Sequence, residues 1–96
     1  MGDIGGFVPV RRDGISEVEM DGEIVLLDTS SGELHLLNRV AAAIWSEVDG
    51  ARDVDAIVAD LSDAAATDVE RVRQDVAAFL GQLGRGGLLS RPVPDV

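Results

Sequence analysis

Cysteine and lysine are both absent from the 96 residues, and aromatic side chains nearly so: one Trp, two Phe and no Tyr. Without cysteine there is no disulfide framework, no thiolate metal site and no cysteine nucleophile, and a reducing compartment is compatible with the chain. No apolar run approaches the roughly 20 residues that cross a bilayer. The start, Met1-Gly2-Asp3-Ile4-Gly5-Gly6, has no basic region followed by an apolar one, and Gly6 stands where a myristoylation signal wants Ser or Thr. A soluble cytoplasmic protein is expected. Positive charge is scarce as well, since eight arginines face eighteen acidic residues spread through the chain, for a net charge of -10. A field of that sign repels phosphate backbones and anionic lipid, so neither nucleic acid nor membrane is an expected partner. The bland function of such acidity is to keep a small protein in solution. One domain of this length buries roughly two-thirds of its unfolded surface and leaves no room for a deep catalytic cavity, so function is sought on the surface.

What is present changes period near Asn38, from two to 3.6, so strands precede helices. Asp21-Gly22 between apolar alternations marks a two-residue hairpin turn that pairs Met20 with Glu23 and Val18 with Val25. Closing the next loop, Thr29-Ser30-Ser31-Gly32, with Asp28 opposite Glu33 puts Leu34 beside Leu27 and Leu36 beside Val25. On this register Val18, Met20, Val25, Leu27, Leu34 and Leu36 are expected to form the core face, with Glu17, Glu19, Ile24, Leu26, His35 and Leu37 on the other. Asn38 caps a first helix with an apolar stripe of Val40, Ala41, Ile44, Trp45 and Val48, ended by Gly50. A second helix opens near Asp53 and shows Val54, Ile57, Val58 and Leu61. In the third, Thr67 and Glu70 form a capping box, and Val69, Val72, Val76, Phe79, Leu80 and Leu83 share one side. Gly84, Gly86 and Gly87 are expected to stop it, and Leu88-Leu89 to pack back as a closing segment. The fold class is α+β: a winged helix-turn-helix with a three-stranded antiparallel sheet followed by three helices. Residues 10–90 form the domain, between a flexible N-terminus at 1–9 and a flexible tail at 91–96.

Chemistry is sparse. Asp28, Ser30 or Ser31 and His35 imitate a hydrolytic triad in composition only, since Asp and Ser beside Gly are turn-formers. Asp60, Asp63, Asp68 and Glu70 match no calcium-loop spacing and read as caps and solvated helix ends. No catalytic residue, metal or cofactor is therefore expected. Trp45 lies on an apolar stripe and is a core anchor rather than a stacking platform. Arg71 and Arg73 on the third helix stand beside Asp68, Glu70 and Asp75, which argues against a DNA recognition helix. Winged-helix DNA binding or regulation is the alternative that fold alone suggests. The edge strand is more informative. Glu33, Leu34, His35, Leu36 and Leu37 contain no Pro and no Lys and carry charge at one end only, so their free N–H and C=O row is open to an added strand. The competing expectation is that the segment near Leu88 covers this edge.

An ordered set of residues then resembles a family: Val25-Leu26-Leu27-Asp28, Gly32, Leu36-Leu37-Asn38, Ile44-Trp45, Asp49-Gly50, Val54 with Ile57, Asp75-Val76, Phe79-Leu80, Leu83 and Gly87-Leu88-Leu89. From about Val10 to Leu89 the chain is similar to the PqqD family of pyrroloquinoline quinone biosynthesis and to related peptide-recognition elements. The resemblance implies a winged helix-turn-helix that binds the leader of a ribosomally synthesised precursor peptide as an extra strand, antiparallel to residues 33–37. It implies a groove wall from Arg71, Asp75 and Phe79 of the third helix, with Val72 and Ala78 as neighbours. It implies a non-catalytic partner that presents the precursor to a modifying enzyme, often a radical SAM enzyme.

Overall fold

The computed structural model describes residues 4–94. Asp21 and Gly22 both take positive φ, 57° and 83°, as a two-residue hairpin turn matched to strand twist demands. That turn joins β1 (Ile15–Met20) to β2 (Glu23–Asp28) with Met20 opposite Glu23 and Val18 opposite Val25. A second turn, in which Gly32 N–H donates to Asp28 C=O at 2.7 Å, leads into β3 (Leu34–Leu37). The sheet is an antiparallel meander in the order β1-β2-β3, and Val25 lies opposite Leu36 and Leu27 opposite Leu34. Glu33 stays in the connection, outside the strand.

The register is as expected, but the faces are exchanged. Ile24, Leu26 and Leu37 are buried under the helices, whereas Val18, Met20, Leu34 and Leu36 are exposed. Counting apolar residues favoured the wrong face, because β1 overhangs the helices and its inward positions need not be apolar. Glu17 instead accepts from the Trp45 indole N–H at 3.3 Å and from Arg11 at 3.0 Å.

Three helices lie on the inward side, with α1 packed against β2 and β3 and with α2 and α3 packed against each other and against α1. Asn38 caps α1 (Arg39–Glu47) through the Ala41 N–H, and Asp53 caps α2 (Val54–Ala65) through the Ala56 N–H, both at 2.9 Å. The cap of α3 (Val69–Arg85) is Asp68, whose carboxylate accepts from Glu70 N–H at 3.2 Å. The expected Thr67 capping box is not formed. Thr67 donates to the Ala65 carbonyl instead, because the residue nearer the helix carries the better acceptor. Val69, one residue into α3, is exposed rather than part of the stripe, and so is Val40 on α1. Trp45, Val54, Ile57, Val76, Leu80 and Leu83 fill the core between the layers.

Gly84 does not stop α3 but lies within it. A Cβ there would come 3.2 Å from Val93, whose side chain packs across the helix from the tail. The helix ends at Gly86, and Gly87, with φ 73°, turns the chain so that Leu88 and Leu89 return to the core. Leu89 bridges to Arg11, not to β3. In the stretch expected to be loose at the N-terminus, Ile4 and Pro9 are buried. The carbonyls of Gly5 and Phe7 accept from Asp55 and Val54 N–H, which satisfies donors at the α2 start that lack intrahelical partners. Residues 1–3 and 95–96 of the two expected flexible ends lie outside the described residues.

Candidate functional site

The two outer edges of the sheet differ in chemistry. Along β1, Glu17 and Glu19 stand on the helix side of the edge as charges that oppose an added strand. Along β3 there is no such guard, and among the described residues no strand or bridge covers it.

The ladder fixes which main-chain groups β3 offers. Asp28 N–H donates to Glu33 C=O at 2.9 Å, so Asp28 and Glu33 form a hydrogen-bonded pair, and in an antiparallel ladder Leu26–His35 and Ile24–Leu37 follow in phase. His35 and Leu37 therefore commit their N–H and C=O to β2. Leu34 and Leu36 direct theirs outward, giving two donors and two acceptors along the open edge.

Beside that edge lies a furrow walled by α3. Its first part, about 310 Å³, is lined by Leu34, His35, Leu36, Leu37, Phe79, Gln82, Leu83 and Leu88. Phe79 and Gln82 also line the second part, about 350 Å³, with Asn38, Val40, Ala41, Ile44, Arg71, Asp75 and Ala78. A third hollow of about 300 Å³ shares Val40, Ile44 and Asp75 and runs inward between the helices past Arg39, Leu61 and Val72. The fold thus brings together Leu34, His35, Leu36, Leu37, Arg71, Asp75, Ala78 and Phe79. It separates two others: Glu33 lines none of the three hollows, and Val72 faces the inner hollow rather than the space beside β3. Arg71, Asp75, Ala78 and Gln82 recur at helical spacing, which is why this wall could be read from the chain. Asn38, Val40, Leu83 and Leu88 were not singled out for the groove, because Asn38 reads as a cap and the others as core, and only tertiary packing turns them to it.

Charge is distributed unevenly over the arginines. Arg11, Arg12, Arg52 and Arg73 are held in ion pairs away from the furrow. Arg71 lines the furrow and Arg39 the inner hollow, and among the described residues neither they nor Asp75 belong to an ion pair. In a chain of net charge -10, Arg71 is an uncommitted cation beside the furrow, with Arg39 in the adjoining hollow.

The residues that imitate a triad do not assemble. Asp28 is held by Arg12 at 2.5 Å and by the Ser30 hydroxyl at 2.7 Å, and these bonds keep its carboxyl well below the usual carboxylate range. His35 Nε2 is buried without a hydrogen-bond partner among the described residues. Among the acids weighed as metal ligands, Asp60 pairs with Arg52 and Asp68 caps α3.

A match to the family of Coenzyme PQQ synthesis protein D (PqqD) extends over residues 23–89, from β2 through the closing segment. The chain belongs to the PqqD family. A PqqA binding protein of Stutzerimonas stutzeri (strain A1501) is 52% identical over 44 residues, 46% of this chain and 47% of the relative. The chain spans about half the length of that curated relative. Two solved structures share the fold with a TM-score of 0.76 each. TbiB1 in complex with the TbiA(beta) leader peptide is 27% identical, over 84% of this chain and 94% of that one. Lasso peptide synthetase B1 complexed with the leader peptide is 26% identical, over 88% and 99%. Nothing in these comparisons supports the DNA-binding alternative, and Asp75 stands beside Arg71 on α3.

Proposed function

We propose that this protein holds the leader of a ribosomally synthesised precursor peptide as a fourth strand on β3 and presents it to a modifying enzyme, performing no chemistry itself. The observation that carries the reading is the open β3 edge, with the Leu34 and Leu36 amides and carbonyls directed outward beside an apolar furrow walled by α3. Main-chain bonds supply affinity in such an arrangement, and the hollows select side chains. The relatives support it, since two are described with a leader peptide bound and one as binding PqqA. The action belongs in the cytoplasm, where ribosomes release their products, and a radical SAM enzyme is the modifying class that the family implies.

An antiparallel guest runs from the Leu37 side toward Leu34, so its N-terminal part meets Asn38, Arg71 and Asp75 and its C-terminal part leaves near Leu34 and Leu88. A leader with apolar side chains and an acidic residue toward its N-terminal end suits this furrow. About five bound residues give a dissociation constant between nanomolar and micromolar, about -8 to -12 kcal/mol. The test is calorimetric titration with the precursor peptides encoded beside the gene, intact and with the leader removed. Affinity in that range for the intact peptide and none for the truncated one is expected. Equal binding of both contradicts leader recognition.

A further inference from the structure

The helix-free face of the sheet is more apolar than the face that makes the core. By register it presents Leu27 and Leu34 in one row with Ser16, Val18, Val25 and Leu36 in the next, and Met20 with Glu23 at the turn. Val18 is 58%, Met20 66%, Leu34 68% and Leu36 73% exposed. Scattered exposed apolar residues are ordinary in a small protein, but a contiguous apolar sheet face is an interaction surface or an aggregation hazard.

Its margin identifies the occupant. Asp21 and Glu23 at the hairpin turn are exposed and, among the described residues, in no ion pair, Glu19 and Glu33 add exposed carboxylates along the borders of the sheet on its other side, and the three strands contain no arginine. Arg11 and Arg12 pair with Glu17 and Asp28 on the helix side of the sheet, and Arg39 packs along Gly22 at the turn. A second copy of this chain fits poorly where its hairpin end meets this one, because stacking the two turns sets the Asp21 and Glu23 carboxylates against their own copies. An anionic lipid surface is opposed by the same charges. A protein surface with an apolar centre and Lys or Arg around it is complementary.

We propose that this outer face docks the peptide-modifying enzyme through an apolar, basic-rimmed surface on that enzyme. The proposal rests on the leader-holding function and adds the second half of it, since a leader on β3 leaves the groove beside Leu34, at the border of the same face. The bound peptide then emerges next to the enzyme that must act on it.

Val18 and Met20 lie on β1, across the sheet from the β3 groove, which lets the two surfaces be separated experimentally. The full chain and a Val18→Arg/Met20→Arg variant are titrated with the purified modifying enzyme encoded beside the gene, and separately with leader peptide. Thermal melts and sedimentation equilibrium accompany both. Central apolar anchors carry a disproportionate share of an interface, so the variant should bind the enzyme about tenfold or more weakly. Its melting and leader affinity should be those of the parent. Unchanged enzyme affinity overturns the proposal, and so does a parent dimer that the two arginines dissociate, which makes the face a self-association surface. Enzyme docking that the variant abolishes, in a protein that binds no leader, supports the docking face and removes the leader reading instead.

Discussion

Phe79 belongs to the core and to the furrow at once: it is 6% exposed, yet it lines both hollows nearest β3. Truncating it opens a cavity and removes a groove wall, so Phe79→Ala should lower stability by about 3 kcal/mol and weaken leader binding as well. Arg71 has no partner among the described residues, so Arg71→Ala should melt like the parent yet weaken an acidic leader by up to ~1 kcal/mol, less at high salt. Calorimetry at two salt concentrations, with denaturation alongside, checks both, and parent-like binding by both variants removes α3 from the site. Asp28 is held low by Arg12 and Ser30, and Asp49 is drawn down to about 2 by the N–H groups of Ala51 and Arg52. A carboxylate with a depressed folded pKa adds stability that is fully present above its unfolded value near 4 and is lost as pH falls through the folded one. Stability should therefore decline from about pH 4 toward pH 2, with Glu47, raised by burial, acting in the opposite direction. Arg12→Ala should flatten that decline, measured by urea titration across the range. A slope equal to the parent's contradicts the role given to Arg12.

At the scale of the element, β3 is a ladder strand on one side and an open edge on the other, and proline separates the two. Leu36→Pro removes an outward N–H and leaves every bond to β2 in place, so the domain should stay folded and lose leader affinity by about tenfold or more. His35→Pro removes a donor paired with Leu26 and should cost about 1–3 kcal/mol of stability. A folded Leu36→Pro variant with parent affinity, shown by calorimetry, rules out strand addition here. The hairpin turn and the pairing of Asp28 with Glu33 were legible, because Asp-Gly and a Ser-Ser-Gly loop have local preferences. Which face the helices would cover was not, since that depends on where α1 and α3 dock. The caps divide in the same way: Asn38 caps α1 as expected and α2 opens at Asp53, while Thr67 gives way to Asp68, one position on.

Over the whole molecule, the candidate groove exists because a meander, a returning C-terminal segment and α3 leave one sheet edge uncovered. The segment around Leu88 reaches the groove floor without capping β3, since its one bridge is made to Arg11. Strand order and family pattern were readable from ordered short motifs between Val25 and Leu89, but the joining of three hollows along α3 is a property of packing that no single residue announces. Amide hydrogen exchange with leader peptide present tests the central claim most directly. The Leu34 and Leu36 amides, free in the protein alone, should become protected, while those of His35 and Leu37, already bonded to β2, should change little. Protection confined to α2 and the outer side of α3, with Leu34 and Leu36 exchanging as before, would contradict it.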